Sequence, residues 1–294
     1  MAIQRSKGEA VFDAINVGFL VLVAALCLIP LVNVLALSLS SQLAVAQGRV
    51  ALWPVDLTIL PYQYLVKNAK FWNAMGVSFI RIVMGGAINM FLILLTAYPL
   101  AKSKKLFPSR LKYVWFFIFT MLFNAGLIPT FFVVKYTGLI NTLWALVLPQ
   151  AVQIFNVILM MNFFRQLPTE MEEAAFIDGA SHWQTLLRIY IPTSLPAIAT
   201  IGLFTIVFHW NEWFAAIIYI NEPRLYPLQT YLRSRIINPS TTVLDSADLD
   251  MMKNISSRTV GDAQIFVAMI PILLIYPFLQ RYFTKGLVLG AVKG

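Results

Sequence analysis

The chain has one cysteine, two histidines and only 13 acidic residues among 294. A lone Cys27 excludes an intramolecular disulfide and a thiolate metal cluster. His182 and His209 lie on different segments, which argues against a histidine-based metal centre. No Gly-x-x-x-x-Gly-Lys-Ser/Thr loop occurs, so no phosphate cradle of that type is built from this chain. Neither is there a Gly-x-Ser-x-Gly elbow or a pair of acids inside an apolar run. No catalytic residue, metal ligand or cofactor is expected, and the chain is not read as an enzyme.

Charge is scarce as well: 12% of residues are charged and 59% are hydrophobic. That is more apolar surface than a soluble core of this length would bury, so a bilayer must solvate much of it. Charge-free runs at residues 14–48, 82–101, 113–134, 136–164, 189–210 and 263–280 place the candidate spans. Each contains or approaches the roughly 20 apolar residues that cross about 30 Å of hydrocarbon as a helix. Backbone amides in lipid must be satisfied within their own segment, so the fold class predicted is an all-α integral membrane protein of six helices. No internal repeat is visible, and residues 1–294 read as one membrane domain. The first run is far longer than the core of a secretory signal, although Arg5 and Lys7 precede it and Ala44-Val45-Ala46 imitates a cleavage site.

Orientation follows from the basic residues. Arg5 and Lys7, then Lys102, Lys104, Lys105, Arg110 and Lys112, then Arg281, Lys285 and Lys293 fall at one side, whereas Lys135 stands alone in the opposite short turn. Both termini are therefore expected in the cytoplasm. The formal charge of +9 reflects this topology, and no nucleic-acid partner is implied. Two outer segments result. Residues 40–75 carry Trp53, Pro54, Pro61, Tyr62, Tyr64 and Trp72 and suit the outer interface, where amphipathic rings settle. Residues 221–261 are the most water-compatible outer stretch.

Four of the 13 acidic residues sit in a polar island at residues 168–192, between the fourth and fifth spans and on the cytoplasmic side. Pro168 ends one helix, and Thr169 with Glu172 is predicted to form a capping box that opens a short second one. Gly179 supplies the left-handed residue that stops it. Ser181 and Gln184 form a second capping box, and the next helix runs to Pro192. Ala174 and Ala175 let another surface approach the backbone, while Glu170, Glu172, Glu173 and Asp178 offer carboxylates to basic groups. The island is read as a docking knob; the competing reading is a solvated amphipathic connector.

Glu173-Ala174-Ala175, Gly179, and Ile189-Tyr190-Ile191-Pro192 resemble the EAA loop of ATP-binding-cassette importer permeases, with Ile191 where that motif has Leu. The resemblance implies a type I importer permease whose loop is a coupling helix seated in an ATPase subunit. Glu173 would then pair with a basic ATPase residue, Ala174 would pack on the nucleotide-binding domain, and Gly179 would allow the sharp turn, with Asp178, Ile189 and Pro192 completing the loop. ATP and magnesium would be held by two partner ATPase subunits. The other implied partners are a second permease in a heterodimer, an extracytoplasmic solute-binding protein, membrane lipid and an oligosaccharide, with the assembly in a bacterial cytoplasmic (inner) membrane.

The ending at 280–294, Trp210-Asn211-Glu212-Trp213 and Pro227-Leu228-Gln229 are similar to the maltose-type sugar permeases, in particular the branch for complex oligosaccharides such as alginate and pectin fragments. In that class the tail reaches the ATPase interface through residues such as Arg281 and Lys285; anchoring of the last span at the lipid surface is the other reading. Outer basic residues Arg224, Arg233, Arg235, Lys253 and Arg258 suit an anionic cargo or a docked binding protein, although Glu222, Asp245, Asp248 and Asp250 largely offset them. A sugar path needs rings for pyranose faces and amides or carboxylates for hydroxyls. Trp210, Asn211, Glu212, Trp213 and Phe214 are candidates for its wall, with Gln153, Asn156, Asn124 and Asn162 as further polar groups. An aromatic belt with a snorkelling carboxylate explains the first set equally, and interhelical polar contacts explain the second. The functional alternative is a secondary transporter or channel, for which Glu212 is the one acid well inside a span.

Overall fold

The computed structural model describes residues 7–123, 125–237 and 256–291. Among them the regular elements are helical and no strand is present. The chain divides into two compact units, Met1–Phe71 with Arg235–Ile270 and Trp72–Ser234 with Pro271–Gly294.

In the first unit, α1 (Lys7–Ser38) leaves Val11, Phe12, Leu20, Leu22 and Leu26 uncovered along its length. A helix apolar on every side belongs in lipid or against other helices. Its end is fixed by polar contacts: Ser38 Oγ lies 2.7 Å from Tyr62 Oη, and Ser40 Oγ accepts from the Val55 amide at 3.0 Å. Ser41 caps α2 (Gln42–Ala46), α3 (Leu60–Lys67) follows, and Tyr64 packs with Val260. The predicted outer segment 40–75 thus holds two short helices, a loop that exposes Trp53 and the first turns of α4.

The second unit is built on α4 (Ala69–Ala101), followed by α5 (Arg110–Leu122), α6 (Leu127–Tyr136), a 3-10 stretch at Leu143–Gln150 and α7 (Ile154–Phe164). Then come α8 (Thr169–Ile177), α9 (His182–Thr193), α10 (Leu195–Asn211), α11 (Phe214–Tyr219) and α12 (Leu228–Ile237). The last helix, α13 (Ser257–Ala291), is shared between the units. Residues 238–255, which include Asp245, Asp248, Asp250 and Lys253, lie outside the described residues, as does Asn124.

Three helices are long and apolar enough to cross a membrane unaided: Val11–Ser38, Ala69–Ala101 and Ser257–Pro277. The remaining three candidate spans are pairs, α5 with α6, Leu143–Gln150 with α7 at 49°, and α9 with α10 at 84°, which gives six crossings if each pair is one span. The candidate spans over 113–134, 136–164 and 189–210 are thus interrupted or bent helices. Gly138 and Asn141 adopt φ of +72° and +62°, outside helical geometry, so the chain turns between α6 and the 3-10 stretch. Pro196, which lacks an amide proton, starts α10 in its first turn, and the chain bends at Ser194.

Breaks in a span free backbone groups that lipid cannot satisfy. Polar residues on one face of α4 supply the partners. The buried Arg81 donates to the Glu212 carbonyl at 2.7 Å, to the Leu146 carbonyl at 3.2 Å and to Glu212 Oε2 at 2.6 Å. Glu212 Oε1 in turn accepts from the Ala215 amide at 2.8 Å, in the first turn of α11. Two turns along the same face, Asn89 Nδ2 donates to the carbonyls of Gln150 and Ala151, and its Oδ1 lies 2.6 Å from His209 Nε2. Gly85 sits between the two on that face. A Cβ there would lie 2.4 Å from the buried His209 ring, so only glycine lets α4 and α10 approach this closely.

Two substitutions test this brace. Gly85→Ala must push His209 off Asn89, and the purified protein should lose roughly 1–3 kcal/mol of stability, read as a lower midpoint of thermal unfolding in detergent. Arg81→Met strands the Glu212 carboxylate and two carbonyls; removal of one partner of a buried ion pair is expected to destabilise by roughly 3–5 kcal/mol. Changing Glu212→Gln in the same chain should recover part of the loss, and an Arg81→Met midpoint equal to wild type would remove the brace.

Candidate functional site

The polar island folds into two helices at the far end of α4 from Arg81. At about 1.5 Å per residue, Arg81 and Lys102 are about 30 Å apart along this helix, close to the thickness of a hydrocarbon core. The first island helix, α8, starts at Thr169, but no side chain caps it. Here the structure corrects the expected Thr169/Glu172 capping box. Glu172 turns inward, where Lys102 Nζ lies 2.6 Å from its Oε1 and Tyr190 Oη donates to its Oε2 at 2.6 Å. A buried ammonium is a stronger partner for a carboxylate than a solvated amide.

Lys102 is held on several sides. Its ammonium lies 3.6 Å from the centre of the Tyr98 ring and 4.2 Å from that of Tyr190, so two electron-rich faces share the positive charge. Burial pulls its pKa below the ordinary lysine value, and the hydrogen bond and charge of Glu172 oppose that. Tyr98 Oη is 3.2 Å from His182 Nδ1, which joins the start of α9 to the same cluster.

Beyond α8 the chain turns at Gly179, with φ of +77° as expected. The Ala180 amide closes the turn on the Ala175 carbonyl at 2.9 Å. The second capping box also forms: Ser181 Oγ accepts from the Gln184 amide, and Gln184 Oε1 accepts from the Ser181 amide. α9 runs to Thr193, one residue past the expected end at Pro192. A π-turn over Leu186–Tyr190 widens the helix just before it, and helical geometry persists to Thr193.

The loop residues divide by face. Glu173, Ala174, Asp178 and Gly179 are exposed, together with Glu170, Met171 and Ile177, the last 86% exposed. Ala175 is buried, Ile189 packs on the core around Leu186 and Tyr190, and Pro192 is at the surface. The outward face therefore offers apolar side chains ringed by carboxylates. Among the described residues no group of three His, Cys, Asp or Glu is placed to hold a metal ion. The arrangement can dock a basic, partly apolar surface; it presents no reacting group. The basic turn after α4 adjoins it, since Arg110 donates to the Lys102 carbonyl at 2.7 Å while Lys104 and Lys105 are exposed.

The sugar-path candidates separate at the opposite end. Trp210 is buried edge-on to Phe79, with ring centres 5.7 Å apart, and Glu212 is committed to Arg81. Asn211 is exposed and donates to the Val207 carbonyl at 3.0 Å. Trp213 is covered on one face by the Arg233 guanidinium at 3.6 Å, and Phe214 stands exposed at its edge. Asn156 is buried and donates to Gln153 Oε1. Outside α8 and α10, Asn141 ties the turn after α6 to the chain after α11, donating to Glu222 Oε1 at 2.9 Å, and hydrogen bonds from Arg224 and then Asn141 hold the Glu222 carboxyl below its ordinary range. Arg281 and Lys285 lie on α13, and their side chains are outside the described residues.

Sequence reasoning missed Lys102, Tyr190, Arg81 and Asn89 as organising residues. Arg81 is the only charge between Lys70 and Lys102, ten or more residues inside α4, and that isolation was the available signal.

A model of the family described as binding-protein-dependent transport system inner membrane component matches residues 87–288. Among curated proteins the chain is 39% identical to the polygalacturonan/rhamnogalacturonan transport system permease protein YtcP of Bacillus subtilis (strain 168), over 96% of this chain and 98% of that one. It is 41% identical to protein LplC of the same organism, over 99% and 97%. Among solved structures it is similar to a bacterial ABC transporter involved in the import of the acidic polysaccharide alginate, with a TM-score of 0.87, 33% identity, and 95% and 99% of the two chains covered. The chain thus belongs to the family of binding-protein-dependent transport system inner membrane components, as a multi-pass permease of an ABC importer.

Proposed function

We propose that residues 1–294 form one permease domain of an ATP-driven oligosaccharide importer, in which α8 is the coupling helix. The observation that carries this reading is the split of α8 into an inward face fixed by Glu172 and Ala175 and an outward face of Met171, Glu173, Ala174 and Ile177. A membrane protein that holds such a knob beside a basic turn presents it to a soluble subunit in the cytoplasm. The importer pairs this chain with a second permease, two ATPase subunits that hold ATP and magnesium, and an extracytoplasmic binding protein. Both termini, and the tail with Arg281 and Lys285, lie on the ATPase side.

The cargo class is a uronic-acid oligosaccharide. Its support is chemical likeness among relatives, one named for polygalacturonan and rhamnogalacturonan and another for an acidic polysaccharide. Asn211, Trp213 and Phe214 form the accessible part of the path in this chain, with Glu212 as the brace beneath them.

At Gly179 a side chain meets open space but a strained backbone, and an added carboxylate would face the negative end of α8 next to Asp178. Gly179→Asp should leave the subunit in the membrane while uptake falls at least about tenfold relative to ATP hydrolysed, within the usual range of coupling between sites. Wild-type uptake by a well-expressed Gly179→Asp variant would end the coupling assignment. Titration of the cognate binding protein with galacturonate, mannuronate and neutral oligomers tests the cargo, and a preference for the neutral oligomers would end the uronate reading.

A further inference from the structure

We propose that Lys102 is the positioning residue that locks α8 to α4, and that α4 is the rod by which movement of α8 reaches the broken spans. The inference rests on the reading of α8 as the coupling helix. A helix of nine residues has little stability of its own, so a push on α8 leaves through its side-chain contacts as well as through the short joint to α7. One end is a turn at Gly179 with nothing near the missing Cβ, which is a compliant exit. Ala175 offers a methyl group, and Phe176 meets the His182 ring edge-on; neither contact resists sliding.

Glu172 is different because its two oxygens serve two elements. Oε1 takes the Lys102 ammonium at the end of α4, and Oε2 takes the Tyr190 hydroxyl on α9. Separating Glu172 from Lys102 would leave each charge buried without its counter-ion, so the joint resists both tension and shear. Lys102 cannot retreat, since the rings of Tyr98 and Tyr190 enclose its ammonium.

From this joint α4 continues as a helix past Asn89 to Arg81, with Pro99 in its last turn removing one backbone hydrogen bond close to Lys102. Asn89 holds the carbonyls of Gln150 and Ala151, at the break before α7, and also His209 on α10. Arg81 holds Leu146 and Glu212, at the break between α10 and α11. One rod therefore joins α8, the foot on which a partner would push, to two discontinuities in the membrane region. The second lies within the stretch Trp210 to Phe214, where the sugar-path candidates stand.

The test needs no sugar. In the assembled importer, with Cys27→Ser, a cysteine is placed by Asn211→Cys, and its rate of modification by a small maleimide is compared in nucleotide-free and vanadate-trapped complexes. With Lys102 intact the rate should differ by about fivefold or more, the lower end of ordinary coupling between distant sites. Lys102→Met should bring the ratio below about twofold while the ATPase subunits still co-purify and hydrolyse ATP; Lys102→Arg should restore it. If Lys102→Met does not assemble, Tyr190→Phe replaces it, since that variant keeps the ring and removes one bond to Glu172, and the ratio should fall by about half. A Lys102→Met or Tyr190→Phe complex with the unaltered ratio overturns the rod, as does an intact chain with no nucleotide-dependent change. If Gly179→Asp loses the response while the Lys102 variant keeps it, the coupling helix stands and only the rod falls. If neither variant loses it, the coupling-helix reading falls too.

Discussion

Every amide and carbonyl freed inside a membrane needs a partner that water cannot provide, and this protein breaks its spans repeatedly. Much of the second unit follows from how that demand is met. Instead of satisfying each break locally, the chain uses side chains from one long helix, so Arg81 and Asn89 bind carbonyls from residues far away in sequence. An arginine suits the task because its planar fork can reach two carbonyls and a carboxylate together. Glycine at position 85 is part of the same solution, since the bonds form only if the two helices nearly touch.

The foot combines two kinds of contact with different mechanical meaning. Toward the body of its own unit it presents directional, charge-assisted bonds in a buried setting. Away from it lie methyl, thioether and branched aliphatic groups between carboxylates, a surface suited to reversible association with a partner of opposite charge. A short helix with one firm side and one adaptable side can be seized by another protein without being torn from its own.

Much of this was legible in the residues. The EAA spacing, the glycine at 179 and the Ser181/Gln184 box could be read because each is a local device, set by neighbours within a few positions. Glu212 was also marked, because an acid inside an apolar run is rare. Its partner was not, because Arg81 lies 131 residues earlier and sequence pattern carries no record of which distant segments meet. The Thr169/Glu172 box failed for a related reason. Its spacing was right, but Glu172 had two competing destinations, and the long-range one was a buried cation. Hydropathy found the spans yet not their interruptions, since a 3-10 stretch or a bend at a serine leaves the apolar count unchanged.

The wide turn in α9 has a geometric consequence. Eight positions separate His182 from Tyr190, and on an ordinary α-helix two such side chains point about 80° apart around the axis. The stretch Leu186–Tyr190 is wound more loosely, turns less per residue and so narrows that offset. Both rings consequently arrive against Tyr98, with centres 6.1 Å and 5.0 Å from it. A local slackening of the winding thus sets the angular phase of the segment, so that one tyrosine can serve as common ground for two residues that a regular helix would have aimed in different directions.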